Sequence, residues 1–217
     1  MNFDTLMEYK KYTLSKVKAH LDEFNPFMLE QVDIFESRCD KAEASNKIFV
    51  TLKANKELLD DEEEDIKKEV YKYLSFGYKK LDSLTPDVLK IYFPDPPSSV
   101  GDNLVNMLKM YKSVLVIIEN DEYDELNDLR DKYITSIALI EEFISKEEKF
   151  SYLKEDNKKE NKKNIDSGAS QYSILKIYFK AHFYEKERDY RYFFKDLGNI
   201  QPKKRDNSEN IKNINNI

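Results

Sequence analysis

Two histidines, His20 and His182, and one cysteine, Cys39, are the whole supply of imidazole and thiol in this 217-residue chain. A zinc site takes three or four such ligands, so this supply is too small and too scattered for one. A carboxylate-bridged di-iron bundle needs paired Glu-x-x-His motifs, and neither histidine follows a glutamate by three. His20 lies beside an apolar stripe and reads as a structural histidine. Cys39 falls at a core-spaced helical position and reads as a buried, inert thiol, with no partner for an internal disulfide. The unbroken acidic run at 60–65 has the charge for a cation. It lacks the alternating ligands and the glycine of a calcium loop, and reads as a loop followed by the first turn of a helix. No Gly-rich phosphate loop with its Lys and Ser/Thr is present. No catalytic residue, cofactor or metal ligand is therefore assigned, and the expectation is a protein that is not an enzyme.

The other chemistry-bearing region is the C-terminal third. Residues 149–217 hold 16 basic and 10 acidic side chains, net +6, against net −12 for residues 1–148 and −6 overall. Within it lie many aromatic residues. Tyr178, Phe179, Phe183, Tyr190, Phe193 and Phe194 do not form one clean apolar face, and a monomer does not ordinarily expose so much aromatic area. They are the expected contact with a partner chain, because aromatic anchors supply most of the energy at docking surfaces. Lys158, Lys159, Lys162, Lys163, Lys203, Lys204 and Arg205 are the expected phosphate contacts under an alternative reading, nucleic-acid association. Interleaved acids and the negative charge of the rest of the chain weigh against that alternative.

The elements that must position these residues are helices. With 40% hydrophobic and 36% charged residues, the composition permits a core inside helices with charged outer faces. Only four glycines occur, Gly77, Gly101, Gly168 and Gly198, too few for folds built on tight turns. A first helix is expected over 3–23, with Phe3, Met7, Leu14, Val17, Leu21 and Phe24 on one face and Lys10 interrupting it. Asn25-Pro26 is a helix start, and Met28, Val32, Phe35, Cys39 and Ala42 recur at four, three, four and three. That second helix is expected to end near Leu58. A third follows the acidic run, with Gly77 on its seam facing a close neighbour or a large side chain. Thr85-Pro86 opens a short helix to Tyr92, and 93–97 is a stiff proline connector.

The centre of the organisation is the hairpin over 99–148. Leu104, Leu108, Tyr111, Leu115 and Ile118 form the stripe of one helix, started by a capping box of Ser99 and Asp102. Leu126, Leu129, Tyr133, Ile137, Ile140 and Ile144 form the stripe of the next. The expected domains are an acidic helical bundle over 1–153, a charged flexible linker over 154–168, an aromatic helix over 169–197 and a disordered polar tail over 198–217.

The fold expected is thus all-α, an elongated bundle of about five to six helices with coiled-coil character. The function expected is a non-catalytic scaffold or interaction subunit, binding protein partners or its own copies. No secretory leader pattern and no apolar run long enough to span a bilayer are present, so a cytoplasmic setting is expected. Lysine in excess of arginine, with frequent asparagine and isoleucine, is the mark of AT-rich coding DNA.

Overall fold

The computed structural model describes residues 1–120, 125–186 and 188–197. The protein is all-α and its long helices form a helical bundle; no strand occurs among the described residues. Five α-helices are present there: α1 (Phe3–Lys18), α2 (Pro26–Leu84), α3 (Pro86–Tyr92), α4 (Leu104–Glu119) and α5 (Arg130–His182). No helix among the described residues is long and apolar enough to cross a membrane. The chain divides into two compact units, one made of Met1–Thr51 with Asp156–Ile217, the other of Leu52–Glu155.

The helix starts follow local rules. The Asn2 side chain accepts a hydrogen bond from the Thr5 amide at 2.8 Å, and Asn25 accepts from the Met28 amide at 2.8 Å. Each satisfies an amide that the first helical turn leaves without a partner. Thr85-Pro86 does start α3, through the fixed φ of proline and without a side-chain cap. The capping box assigned to Ser99 and Asp102 is not used. Ser99 sits in a 3-10 turn over Pro97–Val100, and Asn103 caps α4 by accepting from the Asn106 amide at 3.0 Å. Between them Gly101 takes φ +56°, a conformation that side chains with a Cβ rarely adopt.

In the second unit, α4 and the first part of α5 are antiparallel neighbours. Arg130 at the start of α5 reaches Glu119 at the end of α4, and Lys112 pairs with Glu141 at 2.6 Å. The buried seam of α4 is Leu104, Met107, Tyr111, Val114 and Ile118. The hydroxyl of Tyr111 donates to the Val70 carbonyl at 2.5 Å, and its ring meets that of Tyr133 edge-on at 4.9 Å. Gly77 has the close neighbour that its place on the seam requires. A Cβ there would stand 2.1 Å from the Tyr133 hydroxyl.

The acidic run at 60–65 does not break the chain, and the expectation of a loop there is corrected: α2 passes through it. Lysines one turn away compensate the acids, with Lys56–Asp60 at 2.8 Å, Glu63–Lys67 at 2.7 Å and Glu64–Lys68 at 3.2 Å. Glu62 also pairs with Lys146 of α5. Leu59 and Ile66, seven residues apart, keep the core-facing stripe continuous across the run. No metal-holding group of His, Cys, Asp or Glu occurs among the described residues.

In the first unit, residues 154–168 lie inside α5, which corrects the expectation of a flexible linker. The physical reason is a buried polar seam. Asn157 and Asn161, one turn apart, turn inward, and the Asn161 side chain bonds Ser45 at 3.1 Å and Asn46 at 3.2 Å on α2. Further along, Gly168 lets α1 approach, since a Cβ there would lie 2.8 Å from Leu6 Cδ2. The aromatic helix expected over 169–197 ends at His182, and short 3-10 turns follow over Tyr190–Phe193 and Lys195–Leu197. Residues 198–217 lie outside the described residues, as does the expectation of a disordered tail there.

Candidate interaction surface

Of the six aromatic residues expected to meet a partner, four are core. Phe179, Phe183, Phe193 and Phe194 are buried within their own unit. Phe179 stands 5.3 Å from Phe193 and 5.1 Å from Phe194, and Phe183 stacks on Phe193 at 5.1 Å. Phe24 completes the group, 5.0 Å from Phe179. Offset and edge-on rings at these separations are the favoured geometry for aromatic packing. The expectation that these four reach out to another chain is therefore corrected. After His182 the chain turns back, so aromatics that no single helical face could bury meet from two directions. The return is held by α1: Thr13 donates to the Phe193 carbonyl at 2.9 Å and Tyr12 to the Tyr192 carbonyl at 3.2 Å. Tyr178 and Tyr190 are half-buried; Tyr178 meets Phe27 edge-on at 5.2 Å, and Tyr190 lies 6.5 Å from Phe194.

A polar cluster pins the same turn. Both histidines of the chain converge on Glu23, a residue to which the sequence reading assigns no role. His20 Nδ1 lies 3.1 Å from the Glu23 carboxylate, and His182 Nε2 lies 2.8 Å from the Glu23 carbonyl oxygen. Arg188 Nε donates to both Glu23 carboxylate oxygens, at 2.9 and 2.8 Å. The His20-x-x-Glu23 spacing was the available sequence signal; His182 and Arg188 carry none, being far away along the chain. Nearby, the Arg191 side chain donates to Asp189 and holds that carboxyl below the usual range. Burial pushes the phenol of Tyr172 well up, and its hydroxyl donates to Asp196 at 2.9 Å. Burial likewise pushes the Cys39 thiol up to about 12. With ion pairs satisfied inside the cluster, its residues act as a clasp between the α1–α2 turn and the end of α5.

What remains outside is the opposite face of α5. Ile174, Ile177 and Ala181 are spaced three and four apart and are solvent-exposed, Ile177 at 67%. Tyr184 follows just beyond the helix at 80% exposure. Lys158, Lys159, Lys162 and Lys163 are also exposed on α5 of this unit. Lys203, Lys204 and Arg205 lie outside the described residues.

In the second unit, a pocket of about 300 Å³ opens between α3, the proline connector and α4. It sets Asp95 and Lys109 against a wall of Tyr92, Val100 and Met110. Its size is at the lower end for small-molecule sites.

Comparison with protein families, with curated proteins and with solved structures finds no match to this chain.

Proposed function

We propose that this chain is a non-catalytic helical interaction subunit of a larger protein assembly, and that it meets a partner chain through the outward face of α5. The observation that carries the reading is the exposed set Ile174, Ile177 and Ala181 on the side of α5 opposite its aromatic core, with exposed Tyr184 just past the helix end. Large apolar side chains are common singly on surfaces; aligned along one helical face they form a stripe that a partner helix can cover. Full burial of one isoleucine contributes about 1.5–3 kcal/mol, and a tyrosine at the edge adds an anchor with a polar tip. A cytoplasmic setting belongs to the same reading; the lone cysteine, a buried free thiol, is compatible with a reducing compartment.

The test is recovery of the full chain from its own cells, followed by light scattering on the eluted species. A complex heavier than the 25.8 kDa chain is expected. Recovery only as a lone chain, or turnover of a small compound by it, overturns the reading.

A second reading, nucleic-acid binding, draws on the exposed row Lys158, Lys159, Lys162 and Lys163. It requires affinity that falls steeply as salt rises.

A further inference from the structure

Along the first unit's part of α5, Lys163, Asp166, Ser170, Ile174, Ile177 and Ala181 follow at intervals of three, four, four, three and four. That spacing keeps them on one helical face, and all six are solvent-exposed. The face changes character midway. At one end Lys163 is joined by exposed Lys162 beside it, and at the other the apolar set ends on Tyr184. Exposed Lys180 flanks the apolar half. In a chain of net charge −6, a lysine-flanked apolar face is a local exception with its own sign.

We propose that this face seats an amphipathic helix of a partner protein, acidic where it meets Lys162 and Lys163 and apolar where it meets Ile177 and Tyr184. The proposal rests on the interaction reading above and adds the partner's chemistry. Charge complementarity selects an acidic partner and sets its direction along α5, while the apolar contacts supply the buried area. From Lys162 to Ala181 the helix rises about 28 Å, so the partner helix needs roughly 20 residues. A nucleic acid meets the lysines equally well but leaves Ile174 and Ile177 in water, which makes it the weaker fit.

The experiment uses the full chain and a labelled synthetic helical peptide of that length, with leucines on one face and glutamates flanking one half. A second peptide carries lysines in place of the glutamates, and a short single-stranded DNA is the third probe. Fluorescence anisotropy is expected to show binding of the acidic peptide about tenfold or more tighter than of the basic one. I177S/Y184S, two exposed positions, is expected to weaken the acidic peptide about tenfold. K162E/K163E is expected to invert the preference between the two peptides. Equal binding of both peptides, or indifference to both variants, overturns the proposal. DNA binding that survives I177S/Y184S and displaces the acidic peptide also overturns it, in favour of nucleic acid. A native assembly that persists in I177S/Y184S refutes this face as the contact while leaving membership of an assembly standing; a chain with no assembly at all refutes the interaction reading first.

Discussion

The two units solve the same packing problem with different materials. The first builds its core around a ring cluster, Phe24, Phe35, Tyr172, Phe179, Phe183, Phe193 and Phe194, with aliphatic side chains such as Leu6, Val17 and Leu175 about it. These come from both ends of the chain, and the bond from Thr13 to Phe193 spans 180 residues. The second fills its core mostly with aliphatic side chains such as Val70, Leu74, Leu81, Met107, Val114 and Ile140, with Tyr92, Phe93, Tyr111, Tyr133 and Phe143 spaced among them. Its contributors all lie between Leu59 and Phe143, in helices joined by short connections. A core drawn from neighbouring helices closes small loops, whereas one drawn from the two chain ends must close a very long one. The large rings of the first unit bury much area per residue and so offset that entropy with few side chains.

The comparison breaks most readily at Phe193. Phe193→Ala empties the centre of the ring cluster, and a loss of about 3–5 kcal/mol is expected. Urea denaturation measures it, and amide exchange should show protection lost in α1 and over 172–183 before it is lost over 70–81. A loss below about 1 kcal/mol would mean that the ring cluster is not the core of its unit.

Two glycines sharpen the contrast at smaller cost. In Gly77→Ala the new methyl meets the Tyr133 hydroxyl at 2.1 Å, so overpacking by about 1–3 kcal/mol is expected. Adding Tyr133→Phe removes the obstructing oxygen and should recover part of the loss, a non-additivity read by a double-mutant cycle. In Gly168→Ala the methyl meets only the tip of Leu6 at 2.8 Å. The gain in helix propensity, about 1 kcal/mol, opposes that contact, so melting should shift little. A large drop for Gly168→Ala with none for Gly77→Ala would reverse the assignment of the tighter seam.

The smallest effect expected on stability is at Cys39. Burial raises its thiol to about 12 from an ordinary 9.0. A raised folded value means that the group's contribution is intact below the unfolded value and is lost as pH climbs through the folded one. Stability from pH 6 to 8 should therefore not depend on this titration. The raised value and the shielding both cut the thiolate available at pH 8, so alkylation of the native protein should be much slower than that of the unfolded chain. Rapid labelling of native protein would show that Cys39 is open to solvent.

The regular parts of the helices were legible because their cause is local. Asn25-Pro26 and the four-three repeat from Met28 to Ala42 appear as the periodicity implies, while in α4 the buried seam keeps Leu104, Tyr111 and Ile118 but takes Met107 and Val114 in place of the expected Leu108 and Leu115. The two segments expected to leave the helix share one feature: charged and polar residues stand where a hydrophobic pattern implies solvent. At 60–65 the helix survives on ion pairs with lysines a turn away; at 154–168 the buried Asn161 bonds Ser45 and Asn46 of α2. A hydrophobicity pattern counts apolar side chains and is blind to polar ones that find partners. The aromatic segment was misread for the complementary reason, since exposure was inferred from one helix in isolation.

Sequence alone determined that this protein is all-α, where most helices start, and which stripes are apolar, because propensity, capping and the 3.6-residue period act over a few neighbouring residues. Tertiary structure decided the rest. It turned the chain back after His182, drew Phe193 and Phe194 against Phe179, brought both histidines to Glu23, and left Ile177 and Tyr184 as the outward residues. Those outcomes depend on contacts between segments that are not neighbours in the chain, such as Thr13 with Phe193 and Glu23 with His182, whose free energy no local window contains.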